Sequence, residues 1–149
     1  APIADELAQA QPQRMGKSHS ANLYLAYMLL DDAKSLQAIP LLKKAAALKK
    51  ESAEPYEALA RAYRNLRNWT AALKAADTSI SLEPRSFDGY FSRACALARL
   101  GRTQEALKAL EKAAEIDPDL SDLFGDEADL KSLASHPRFK KLLPTEAAK

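Results

Sequence analysis

The feature that most constrains this chain is a repeat. Pro84 and Pro118 stand 34 residues apart, and at the same offset Tyr56 answers Tyr90, Ala60 answers Ala94, Leu66 answers Leu100, Ala72 answers Ala106 and Leu73 answers Leu107. A fixed period of this size belongs to stacked architectures, in which one supersecondary unit recurs and each copy leans on the next. Within one copy, Tyr56, Leu59, Tyr63 and Leu66 fall at spacings of three and four, which puts them on one face of a helix. Small residues, Ala60, Ala72, Ala94 and Ala106, stand where two helices have to approach closely. The turn inside each copy is marked by Arg67-Asn68 and by Gly101-Arg102, the glycine suiting a left-handed helix end. Pro84 and Pro118 stop the second helix, because a proline disfavours helix in the residue before it.

These residues resemble the tetratricopeptide repeat, a 34-residue pair of helices. Tyr56, Leu59, Ala60, Tyr63, Ala72, Ala76 and Pro84 fill the repeat's marked places in one copy, and Tyr90, Arg93, Ala94, Leu97, Ala106, Leu110 and Pro118 fill them in the next. Ala60 and Ala94 depart from the usual Gly, Arg93 from Leu, and Ala76 and Leu110 from an aromatic. The resemblance implies an all-α, right-handed α-solenoid of about three helix-turn-helix units with a C-terminal helical cap. It also implies a non-catalytic protein-interaction scaffold, or an accessory subunit of a larger assembly.

The expected organisation is an N-terminal arm (1–18), a degenerate unit (19–52), two regular units (53–86 and 87–120) and a capping segment (121–149). In the degenerate unit Asn22, Leu25, Ala26, Leu29, Ala38, Ile39 and Leu42 match the pattern, but Lys50 stands in place of the closing proline, so a less sharp helix end is expected there. Pro40 is expected within the first turn of its helix, where a missing amide costs little. In the arm, Pro2 and Pro12 bracket a helix-capable run from Ala4 to Ala10. The arm is expected to be held down, either on its own solenoid or on another chain. In the last segment short helices are expected near Asp119–Phe124, Glu127–Ala134 and Pro137–Leu143, with Leu130, Leu133, Phe139, Leu142 and Leu143 covering the flank of the last unit. The string Asp129-Leu130-Lys131-Ser132-Leu133, then His136-Pro137-Arg138-Phe139, is similar to the tail that closes many bacterial proteins of this family.

In such arrays the first helix of each unit lines a concave face. Helical spacing places Leu23, Tyr27 and Leu30 there from the first unit, Glu57, Arg61, Arg64 and Asn65 from the second, and Phe91, Cys95 and Arg99 from the third. A groove apolar at one end and basic in the middle is expected, suited to a partner segment with an apolar anchor and carboxylates, which Arg grips with two bonds. The family's clamp for chaperone C-termini needs Lys and Asn, then Asn, then Lys and Arg. Leu23, Tyr27, Ala58, Asp88 and Ser92 stand in those places here, and one unit further on Glu57, Arg61, Ser92, Asp122 and Asp126 do, so neither frame builds the clamp.

The remaining chemistry points away from catalysis and cofactors. The acidic run from Asp117 to Ala128 has Asp122 at the sixth place and Ala128 at the twelfth, where a calcium loop needs Gly and Glu. His19 and His136 have no second His or Cys at ligand spacing, and the four glycines form no phosphate loop. No metal, cofactor or catalytic residue is expected. Net charge is +2 and is spread along the chain, so nucleic acid is not an expected partner. No run approaches a membrane span. The expected partner is another protein, with a self-associating structural protein that forms homo-oligomers as the alternative. One cysteine excludes an internal disulfide and leaves the compartment open, while a first residue that is Ala rather than Met leans towards a processed, exported chain, with the cytoplasm as the other reading.

Overall fold

The computed structural model describes residues 18–144. Residues 1–17 and 145–149 lie outside that range, and with them the expectation about how the N-terminal arm is held. The described residues are helical throughout, without strands. Six long helices come first: α1 (His19–Asp31), α2 (Ser35–Leu48), α3 (Glu54–Asn65), α4 (Trp69–Leu82), α5 (Phe87–Arg99) and α6 (Thr103–Ile116). A 3-10 turn (Pro118–Ser121), a short α7 (Asp122–Asp126), a second 3-10 segment (Ala128–Leu133) and α8 (Pro137–Leu142) follow. Each helix packs on the next in sequence through α6, while α3 also touches both α1 and α5. The odd-numbered helices therefore form one layer and the even-numbered ones another. This is an all-α solenoid of helix pairs closed by a C-terminal helical cap.

The period is written into the backbone as well as the side chains. Ala33, Arg67 and Gly101, each 34 residues from the next, are the turn residues with positive φ, at 59°, 59° and 78°. After each one an amide reaches back to close the helix: Lys34 donates to the Leu29 carbonyl at 2.7 Å, Asn68 to Tyr63 at 2.9 Å and Arg102 to Leu97 at 2.9 Å. Ala33, Arg67 and Gly101 donate to Leu30, Arg64 and Ala98 at 3.0–3.1 Å. This two-bond pattern satisfies carbonyls that the helix itself leaves unpaired. Only the third turn uses glycine, the residue that accepts a left-handed backbone without a Cβ penalty.

The helix starts repeat too. Ser18 caps α1 by accepting from the Ala21 amide at 3.1 Å, and Ser86 caps α5 by accepting from Gly89 at 2.8 Å. Ser52 holds the same register, but the residue three further on is Pro55, which has no amide to offer. Helix α3 accordingly begins one residue later in register, with Ala53 before Glu54 and Pro55 in its first turn.

Two expectations about proline are corrected. Helix α2 ends at Leu48 in register with Leu82 and Ile116, although Lys50 replaces the proline. Lys49 takes the same extended turn (φ −143°, ψ 85°) as Glu83 and Asp117, so the turn conformation is enough to stop the helix. Pro40 lies inside α2, as the sixth residue of a helix that starts at Ser35, and not in the first turn. Its ring faces solvent, where the Leu36 carbonyl it leaves without an intrahelical partner can be hydrated.

The core follows the small-residue places. Ala26, Ala60 and Ala94 on the first helices, and Ala38, Ala72 and Ala106 on the second, are all fully buried. Leu25, Leu59, Leu97, Leu107 and Leu110 fill the spaces between. Leu66 and Leu100, expected on the packed face, are about two-fifths exposed, because each falls at the C-cap of its helix, past the contact with the next layer. At the far end Phe124, Leu130, Leu133 and Phe139 are buried against α5 and α6, with Leu142 and Leu143 packed beside them. Asp117 and Glu127 accept from the amides of Asp119 and Asp129, so those two carboxylates of the acidic run cap helix starts.

At Gly89 the backbone of α5 lies close against α4. A Cβ there would lie 2.6 Å from Ser79 Oγ and 2.9 Å from Ile80 Cγ1. Gly89→Ala is expected to lower unfolding free energy by about 1–3 kcal/mol, read by urea denaturation, since the buried Ser79 cannot move aside freely. Ala33→Gly is expected to raise it by about 0.5–1 kcal/mol, and Gly101→Ala to lower it by about 1 kcal/mol, in the same experiment.

Candidate functional site

The first helices carry the candidate site. Tyr27 on α1, Glu57, Arg61 and Arg64 on α3, and Phe91 on α5 line one hollow of about 430 Å³. All five belong to the expected concave face. The hollow is completed by Glu54, Ala58, Phe87, Asp88 and Ser92 from the same helices and by Leu123 on α7. Beside it, a second hollow of about 370 Å³ joins Arg61, Arg64, Asn65 and Arg99 to Arg67, Trp69, Glu127 and Asp129. Arg61 and Arg64 border both.

Leu23, Leu30 and Cys95, expected beside these residues, are corrected to core positions. They are 7%, 3% and 0% exposed and sit inside the two hydrophobic clusters. Helix α1 is apolar over most of its circumference, with Leu23, Leu25, Ala26, Leu29 and Leu30 all buried, so periodicity alone could not separate its groove face from its packing face. Cys95 is enclosed, and burial pushes its thiol up to about 12. It is a packing residue with little thiolate at neutral pH.

The expected basic centre is also corrected. Arg64 Nη1 lies 3.2 Å from Asp129 Oδ2 and 3.6 Å from Glu127 Oε1, and Arg99 Nε donates to Asp129 Oδ1 at 2.9 Å. One carboxylate of the capping segment thus bridges two arginines of the repeat. Both guanidinium groups also rest on aromatic rings, Arg64 5.4 Å from the centroid of Phe91 and Arg99 5.0 Å from that of Trp69. Arg61 reaches back to Asp31 at 3.2 Å, and Asn65 donates to the Ser35 hydroxyl at 3.0 Å. These side chains tie α3 to its neighbours.

The other wall of the first hollow is acidic. Tyr27 donates its hydroxyl to Glu54 at 2.8 Å, and its own proton is held more firmly by burial, by that bond and by nearby carboxylates. Ser86 donates to Glu57 at 2.5 Å while capping α5 through the Gly89 amide. Burial raises the Glu57 carboxyl, Ser86 opposes the shift, and Asp88, Glu54 and Glu83 add to it. Phe87 and Phe91 form the floor and stack with the buried Phe124 beneath, with ring centroids 5.9–6.2 Å apart and planes within 14° of parallel. Leu123, half exposed, stands at its edge. Glu54 was not singled out in the sequence, and Asp88 was named only as a residue that does not build the chaperone clamp, although the two are 34 residues apart and three residues before Glu57 and Phe91, a spacing that shares a helical face. Leu123, Glu127 and Asp129 lie in a segment without the repeat, where no period points to them.

Cys95, Glu127 and Asp129 bring their potential ligand atoms within 4.8 Å of one another. A cation there would have to displace the arginines from the carboxylates and take the proton from a thiol that resists losing it. The trio works as a structural knot between repeat and cap.

A layered solenoid of helix pairs with a hollow on its first-helix face defines a helical-repeat interaction module. The profile described as "Tetratricopeptide repeat" matches residues 59–132, and the chain belongs to the tetratricopeptide-repeat proteins. No curated protein sequence matches it. Among solved structures, the crystal structure of MamA is similar with a TM-score of 0.72 at 23% identity, covering 93% of this chain and 82% of that one. The first TPR of Spaghetti (RPAP3) bound to the HSP90 peptide SRMEEVD gives 0.67 at 17% identity, over 83% and 89%. The type III secretion translocator chaperone SycD of Yersinia enterocolitica gives 0.66 at 14%, over 83% and 90%. No helix among the described residues is long and apolar enough to cross a membrane.

The raised Glu57 carboxyl carries a sign. The folded chain holds that proton more tightly than the unfolded chain, so this group favours folding most at pH below its ordinary range and loses that contribution as pH rises through its raised value. Glu57→Gln keeps the shape and an acceptor for Ser86. The variant is expected to melt higher than the parent at neutral pH, with the difference closing as pH falls through the carboxylate range in a thermal melt series.

Proposed function

We propose that this chain is a non-catalytic scaffold or accessory subunit that holds a segment of another protein against its first-helix face. The units are taken as 19–52, 53–86 and 87–120, closed by 121–149, with residues 1–18 as an arm available to the same assembly. The observation that carries the reading is the 430 Å³ hollow, in which an aromatic floor, polar side chains from α1, α3 and α5, and the apolar Leu123 of α7 converge. Tyr27, Glu57, Arg61 and Phe91 would meet the partner directly. Arg64, Asn65 and Arg99 would set the shape of the site through their bonds to Asp129 and Ser35. The fold shared with a repeat domain that binds a peptide supports a peptide segment as the ligand. The chaperone-tail clamp is not carried over, since its places here hold the wrong side chains.

The test is a pull-down from the native source with the parent chain and with Leu123→Asp, an exposed position whose change leaves the core intact. Proteins recovered with the parent are expected to fall at least about tenfold with the variant, the size of one lost apolar anchor. Equal recovery, with an unchanged circular dichroism spectrum, would move the binding surface elsewhere. Sedimentation of the purified chain addresses the self-associating alternative, which requires a mass that grows with concentration.

A further inference from the structure

We infer that the segment held in the first hollow carries a large apolar side chain next to a lysine or arginine. This deepens the groove reading and rests on it. The hollow is lopsided in charge. On one side stand the carboxylates of Glu54, Glu57 and Asp88, contributed by α3 and α5. No described cation forms an ion pair with any of them. Their partners are neutral hydroxyls, Tyr27 for Glu54 and Ser86 for Glu57.

On the other side the positive charge is already spent. Arg61 is bound to Asp31, and Arg64 to Asp129 and Glu127. An incoming carboxylate would have to compete with those partners and would meet three like charges on the way. An incoming ammonium or guanidinium would find the Glu57 carboxylate already partly desolvated, with Glu54 and Asp88 beside it as further acceptors, a setting that favours a charge-assisted hydrogen bond. The adjoining floor is Phe91 with the half-exposed Leu123 beside it, a seat for an aliphatic or aromatic residue. The larger hollow of about 530 Å³ between α5 and α6 offers no comparable argument. Its wall alternates Arg93, Lys108 and Lys112 with Glu105, Glu111 and Glu115, which offset one another.

The experiment selects a phage-displayed library of random peptides against the full chain and measures the selected sequences by fluorescence polarisation. The expected result is peptides that pair an apolar residue with Lys or Arg. Their affinity should fall about tenfold or more for the double variant Glu54→Gln, Asp88→Asn and stay within about twofold for Lys108→Gln, an exposed position outside the hollow. Both positions of the double variant are exposed, so the fold is kept. Acid-rich peptides weakened by Arg61→Gln and indifferent to the double variant would overturn the basic-segment inference while leaving the groove as the binding face. Peptides indifferent to Leu123→Asp as well as to all of these changes would overturn the groove reading and this inference together.

Discussion

Everything in this molecule depends on how closely two helices can approach. Six alanines, Ala26, Ala60 and Ala94 on the first helices and Ala38, Ala72 and Ala106 on the second, have no exposed surface at all. A larger side chain at such a place would push the pair apart, and the displacement would pass to the next pair through the leucines between them. Close approach also explains Gly89, which brings α5 onto Ser79 and Ile80 with no room for a methyl group. The left-handed turns at Ala33, Arg67 and Gly101 serve the same end. They reverse the chain within a few residues, so that the second helix lies back on the first before the loop can splay.

A stack built this way has an end that must be closed. Here the closure does two jobs. Phe124, Leu130, Leu133 and Phe139 cover the apolar flank of α5 and α6. The same segment brings Glu127 and Asp129 against Arg64 and Arg99. Because Asp129 is nearly buried, its two arginines cannot be exchanged for solvent at little cost, and one of them can be removed only by leaving a buried charge behind. The cap therefore decides the electrostatics of the neighbouring face: it neutralises the arginines and leaves the carboxylates of α3 and α5 as the unbalanced charge.

That division explains what could be read in the sequence. The helix pairs, their 34-residue register and the alanine contacts were legible because local spacing controls them and each copy checks the other. Of the cap's four short segments, the second 3-10 segment and α8 were legible to within a residue from Pro137 and the apolar residues around it, whereas the helix expected at Asp119–Phe124 is split into a 3-10 turn and α7. Tyr27, Glu57, Arg61, Arg64 and Phe91 line one hollow, since a helix face follows from spacing. Leu23, Leu30 and Cys95 were not separable from them, because α1 and α5 bury more than one face and spacing does not tell which apolar side is covered. The sign of the groove was misread for a different reason. It depends on Asp129 meeting Arg64 from 65 residues away, a contact that no period encodes.

The acidic wall is then the part of the molecule that folding does least to explain. Glu57 is half-buried among Glu54, Asp88 and Glu83, with a serine hydroxyl as its partner, and both burial and repulsion work against its charge. A neutral glutamine would accept the same hydrogen bond without that penalty. Elsewhere in the chain carboxylates near cations are paired, as Asp31, Asp77, Glu111 and Asp129 are. Charge held without compensation, beside an aromatic floor on the layer where the first helices meet, is what a surface looks like when its counter-charge arrives with a partner.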